Sequence, residues 1–170
     1  MRILVNAMLS AIVLLSISCT KDKKDDSRQR RFVSMKLDNR IYLSENPKGT
    51  IYVPNFADEN PDNDYPKMVL TGQTYNGDQL SFTLVAPTLP FTPGRYPATK
   101  KGNSMLIMLN STYATLTSEG STDFAITITR IDNVSVEGTF TGTLTETTGG
   151  GGPRAVRDGA FRAIVTQISQ

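Results

Sequence analysis

Acidic and amide side chains are spaced for metal chemistry in one short stretch. Residues 57–65 read ADENPDNDY, so Asp58, Asn60, Asp62 and Asp64 stand at alternate positions. Carboxylate and carboxamide oxygens at that spacing can converge on Ca²⁺ from a loop. The EF-hand pattern is not met: Asn63 stands at the sixth place, where glycine belongs, and Val69 at the twelfth, where glutamate belongs. The same composition suits a solvated loop rich in turn formers, and both readings stay open. Aromatic rings offer a second chemistry. Tyr65, Tyr75 and Phe91 fall near loops, close to Asp, Asn and Gln side chains. Exposed rings can stack on sugar faces while amides bond hydroxyls. The competing expectation is that such rings lie on strand faces with one wet edge.

Absences remove whole classes of function. The chain has no histidine, no tryptophan and one cysteine. Ser-His-Asp and Cys-His nucleophile systems are excluded, as are His-ligated zinc and haem. One cysteine allows no intrachain disulfide and no CxxC redox pair. Carboxylate pairs such as Glu119 with Asp123, or Glu137 with Asp158, have the residue types for glycoside hydrolysis. That reaction needs a set separation that a sequence does not give. Most of these residues fall in turns or on exposed strand faces, so a carboxylate-based hydrolase ranks last and no catalytic residue is assigned. The glycines at 149–152 lack the Lys-Ser/Thr of a phosphate loop.

The elements that must position these residues are strands. Residues 32–170 alternate apolar and polar side chains, with no 3.6-residue stripe. Val33, Met35 and Leu37 share a face, Asp38-Asn39 suits a two-residue hairpin turn, and residues 41–43 return. Residues 49–53 form a third short strand. Residues 67–74 and 79–85 flank Asn76-Gly77, the strongest hairpin signal in the chain. Residues 104–109 hold a continuous apolar run after Ser104, which predicts a strand covered on both faces. A short strand follows at 113–116. Residues 122–130 and 134–144 alternate around a turn at Asp132-Asn133, with Gly138 and Gly142 marking a bend or bulge. Residues 147–153 are a flexible loop, and residues 156–165 close the domain. Gly94 and Tyr96 mark a corner. The expected fold is all-β: an antiparallel β-sandwich, or a partly closed barrel, of about nine or ten short strands.

The first residues are an address. Met1-Arg2 precede an apolar stretch from Ile3 to Ile17, and Ser18-Cys19 follow. A basic start, a short apolar core and a small residue before the cut make a secretory signal peptide over residues 1–18. The run is too short for a comfortable membrane span. Residues 20–31, TKDKKDDSRQRR, have no large apolar side chain and read as a disordered charged tether. Twelve residues reach at most about 40 Å. The tether carries +3 and residues 32–170 carry −2, so the domain has no basic field for nucleic acid.

The single cysteine, placed where the apolar run ends, resembles the lipobox of bacterial lipoproteins. In that family the thiol is diacylglycerated and the leader is cut just before it, which implies a covalent lipid on Cys19. Ser16 stands where the commonest lipobox has leucine, a looseness similar to lipoboxes of Bacteroidota. Several acyl chains hold a protein at a membrane far more firmly than one. The Lys and Asp residues after Cys19 resemble a surface-export signal of the same group. Further features resemble a family of small Bacteroidota lipoproteins with one β-rich domain of unknown function. They are Gly94-Arg95-Tyr96, Ile126-Thr127-Ile128-Thr129 with Asp132 and Gly138-Thr139-Phe140, and Asp158-Gly159-Ala160-Phe161. The resemblance lends no catalytic residue. It implies three parts: a signal peptide over 1–18, a lipidated Cys19 with its tether over 19–31, and a β-domain over 32–170. The implied protein is an outer-membrane, lipid-anchored binding module for an extracellular ligand, a glycan or an envelope protein. The alternative is an accessory subunit of an outer-membrane assembly. Calcium at the acidic loop is the one cofactor in view.

Overall fold

The computed structural model describes residues 30–57, 59–147 and 151–169. The signal peptide, Cys19 and all but the last two tether residues lie outside the described residues. Eleven strands follow in order: β1 (Phe32–Leu37), β2 (Arg40–Glu45), β3 (Lys48–Val53), β4 (Lys67–Gln73), β5 (Gln79–Val85), β6 (Gly94–Pro97), β7 (Ser104–Met108), β8 (Thr115–Thr117), β9 (Ala125–Ile131), β10 (Ser135–Glu146) and β11 (Arg154–Ser169). A 3-10 turn at Pro61–Asn63 interrupts the β3–β4 connection. Among the described residues no helix is long and apolar enough to cross a membrane.

All eleven strands belong to one mixed sheet. Every ladder is antiparallel except that of β3 with β11. Two long strands organise it. One side of β11 meets β10 over residues 154–164; the other side meets β1 over 156–162 and then β3 over 164–169. The free side of β10 meets β9 over residues 136–141 and then β8 at 145–146. Pairing therefore runs from β11 through β3, β4, β5, β7, β8 and β10 back to β11. The β8–β10 link holds only two residue pairs, Thr145 with Thr117 and Glu146 with Leu116. The rolled, partly closed form describes this better than two separately bonded sheets.

Aromatic packing explains the roll. The ring of Phe82 on β5 lies 4.8 Å from that of Phe140 on β10 and 5.8 Å from that of Phe161 on β11. Phe124 completes the cluster at 6.4 Å from Phe140. Alternate residues of each strand supply this core: Val33, Met35 and Leu37, then Leu80, Phe82 and Leu84, then Ile126 and Ile128. The Asp38-Asn39 turn has φ values of 50° and 65°, the geometry of a two-residue hairpin of mirror-image type. Strand β7 corrects an expectation. Met105 and Ile107 are buried, but Leu106 and Met108 are 36% and 43% exposed, so one face only is covered. Strand β6, expected as a corner, pairs with β9 at the sheet edge, where its flanking prolines cost no ladder bonds.

Bulges fall at the glycines of β10. Its register slips between Glu137 and Gly138 against β9, and between Phe140 and Gly142 against β11. Gly142 has φ +133°, and the backbone of Phe124 passes directly over it. That crossing sets Asp123 between the β9 and β8 ladders. Its carboxylate accepts hydrogen bonds from the Thr143 amide at 3.2 Å, the Thr143 hydroxyl at 2.6 Å and the Ser121 hydroxyl at 2.6 Å. A side chain here takes the place of a neighbouring strand. The Ser121 and Thr143 bonds hold the Asp123 carboxyl below its ordinary value of 3.8. A depressed folded-state pKa contributes stability above the unfolded value that is lost as pH falls through the folded one. Wild-type protein is expected to lose more stability between pH 5 and pH 2 than Asp123→Asn does, as read from denaturant midpoints. The carboxylate is well solvated, so the difference is about 1 kcal/mol or less. Equal losses in the two proteins would refute the assignment.

Candidate functional site

The outer face of β4, β5 and β7 carries the clearest recognition surface. In β4 the residues that alternate with the core-facing Leu70 are Thr71 and, after Gly72, Gln73; in β5 they are Gln79 and Ser81. Register sets them directly opposite: Gln73 faces Gln79 and Thr71 faces Ser81. The rows continue onto β7, where Gln79 pairs with Met108 and Ser81 with Leu106, and onto β3, where Lys48 pairs with Thr71. Glu45 at the end of β2 and Asn46 in the turn after it close one side. Together they line an open trough of about 580 Å³. Three carboxamides, two hydroxyls, one cation and one carboxylate share it with three apolar side chains, Leu80, Leu106 and Met108.

A rigid rim adjoins the trough. The β4–β5 connection ends on Asp78, which is buried, and its carboxylate ties two turns together. It accepts from the Thr74 hydroxyl at 2.8 Å and from the Asn110 amide at 2.9 Å, and the Asp78 amide donates back to the Thr74 hydroxyl at 3.1 Å. The Asn110 side chain donates to the Asn76 carbonyl at 3.1 Å. Strand β2 reaches this network through a bridge between Ser44 and Thr74. Burial, and then the nearby Asp78 carboxylate, push the Tyr42 phenol above its ordinary pKa. The tips of the two tied turns carry Tyr75 and Tyr113, both strongly exposed. Fixed turns present their rings without the entropy cost of ordering them on binding.

The residues expected from sequence are not brought together. Tyr65 and Tyr75 lie beyond opposite ends of β4, about 30 Å of extended chain apart. Phe91 is only 3% exposed and packs against Tyr96 with ring centroids 6.2 Å apart, because the Pro-rich loop folds it inward. It is a core residue, which removes it from a ligand platform with the two tyrosines. At the acidic loop, Asp58 and the side chain of Asp62 lie outside the described residues. The Asn60 carbonyl accepts from the Asn63 amide at 3.4 Å, and the Asn63 carbonyl accepts from the Asn55 amide at 3.0 Å. Asp64 is half-buried. Among the described residues no three His, Cys, Asp or Glu side chains are grouped to hold a metal. Three of the four carboxylates weighed for hydrolysis have structural partners: Glu137 pairs with Arg162 at 3.1 Å and Asp158 with Lys36 at 2.7 Å, while Asp123 bridges to Thr143. The Lys36 ammonium holds the Asp158 carboxyl below its ordinary pKa.

Sequence reasoning missed Gln73, Gln79, Leu106 and Met108. A partial signal for the first two was present, since both lie close to the Asn76-Gly77 turn, but their direct opposition depends on the three-residue loop over 75–77. No protein-family description, no curated protein and no solved structure matches this chain.

Proposed function

We propose that this chain is a non-catalytic binding module of a bacterial cell envelope, held at the outer membrane by lipid on Cys19, and that the β4–β5–β7 trough takes a neutral glycan. The trough carries the reading. Opposed carboxamides at Gln73 and Gln79 both donate and accept, as a row of sugar hydroxyls requires. Leu106 and Met108 offer apolar contact for sugar C–H faces, and Tyr75 is exposed on the turn that joins β4 to β5. The trough holds one residue of each charge, Lys48 and Glu45, which suits an uncharged ligand. A second reading, an accessory subunit of an outer-membrane assembly, draws on the open edge of β2, where Ile41 and Leu43 are exposed.

Two measurements test the proposal. Palmitate fed to producing cells is expected to label the wild type and not Cys19→Ala; an unlabelled wild type removes the anchor. On a glycan array the protein is expected to bind neutral oligosaccharides. The double variant Gln73→Ala, Gln79→Ala is expected to bind at least tenfold more weakly, with an unchanged melting temperature because both side chains are exposed. Undiminished binding by that variant would overturn the site.

A further inference from the structure

A second cavity, of about 640 Å³, lies at the other end of β4. Val85, Ala86 and Pro87 form its floor, Tyr65 and Pro61 one wall, and Lys67, Lys100 and Lys101 the remainder. Residues 32–170 contain five lysines, and three of them line this one cavity, although the domain as a whole is net negative. Among the described residues none of the three makes an ion pair. Lys67 sits over the ring of Tyr52, with Nζ 5.2 Å from the centroid.

The cavity is built rather than incidental. Asn103 is buried, accepts from the Val85 amide at 2.8 Å and donates to the Pro97 carbonyl at 3.1 Å. The Lys100 amide donates to the Pro97 carbonyl at 3.1 Å, and the Asn103 amide to the Lys100 carbonyl at 3.0 Å. Gly102 has φ +92°, and a Cβ there would come within 2.8 Å of the Val85 side chain, so only glycine lets this turn press against β5. The opposite wall is held by the Ala86 amide donating to the Pro66 carbonyl at 3.1 Å. Two ammonium groups thus ride on a fixed turn beside an apolar floor and an exposed tyrosine ring. Neighbouring ammonium groups on one exposed turn add their fields toward an approaching anion.

We propose that this cavity binds an oxyanion borne on a sugar ring, a carboxylate or a phosphate ester. Lys100 and Lys101 take the anion, while Tyr65 and the two prolines take the C–H face of the ring. The site is separate from the trough and does not depend on it.

Titration calorimetry of the full chain in detergent, with trigalacturonate in one arm and glucose 6-phosphate in the other, tests this. At least one probe is expected to bind, and its affinity is expected to fall severalfold between 50 and 500 mM salt. Uronate binding alone points to an acidic polysaccharide as the source, and phosphate binding alone to a free sugar phosphate; either supports the site. The pair Lys100→Gln, Lys101→Gln is expected to weaken binding at least tenfold and Tyr65→Ala about fivefold, with the melting temperature unchanged. Gln73→Ala, Gln79→Ala is expected to bind the charged probe as the wild type does, which separates this site from the trough. Absence of binding by both probes, or wild-type affinity in the double lysine variant, would overturn the proposal.

Discussion

Truncation of Phe82 to alanine is expected to lower unfolding free energy by about 4 kcal/mol, within the range for emptying a buried phenylalanine site. Phe82 is completely buried. Its position makes the loss larger than its own area suggests. The ring touches Phe140 at 4.8 Å and Phe161 at 5.8 Å, from strands on the far side of the roll. Ladder bonds close that roll through only two residue pairs at β8–β10. Ring packing across the interior therefore does much of the closing. Urea denaturation should show a lower midpoint for Phe82→Ala. It should also show a smaller cost for Phe82→Leu, about half, because leucine keeps most of the volume. A cost below about 1 kcal/mol for the alanine variant would mean that the cluster does not span the roll.

The second large effect is expected at Gly142. Alanine there is forced into φ +133°, and its Cβ would stand 2.3 Å from the Phe124 Cα and 2.8 Å from the Asp123 carbonyl oxygen. Both neighbours are backbone, so neither can swing aside. Strain of this kind costs about 1–3 kcal/mol by conformation alone, and the clash adds to it. A loss of about 3–4 kcal/mol is expected for Gly142→Ala. Gly152 is the control, because a Cβ there meets nothing within 4 Å. Gly152→Ala should change stability by no more than about 0.5 kcal/mol. If the two variants denature alike, the crossing of residues 123 and 124 over β10 is not as described.

Alternation made most strands legible. Val33, Met35 and Leu37 on β1, or Leu80, Phe82 and Leu84 on β5, announce a buried face whatever the fold. Period two tells which side of a strand is covered, but not by which strand, so one rolled sheet and two stacked sheets look the same. Strand β7 shows the limit. Residues 105–109 are apolar throughout, and only the structure reveals that Leu106 and Met108 stay partly exposed. Strand β6 escaped notice because its four residues, preceded by Pro93 and ending on Pro97, are too few for a pattern. The trough was half legible. The Asn76-Gly77 signal announces a hairpin, but a two-residue turn there would oppose Gln73 to Leu80; the observed three-residue turn over 75–77 sets Gln73 against Gln79, and Lys48 and β7 reach them only through long-range pairing. The second cavity had one visible member, Tyr65; Lys100 and Lys101 join it because Asn103 anchors their turn to β5.

Strand β11 comes last of the eleven and yet touches β1, β3 and β10. Its ladder with β1 joins residues more than a hundred positions apart, as Lys36 with Arg157. Contacts of such long sequence separation slow folding, since loops must close before they are rewarded. A chain that emerges front end first has β1, β2 and β3 in place with their seam still vacant until the rear follows. The architecture thus delays its own completion until its final strand is available.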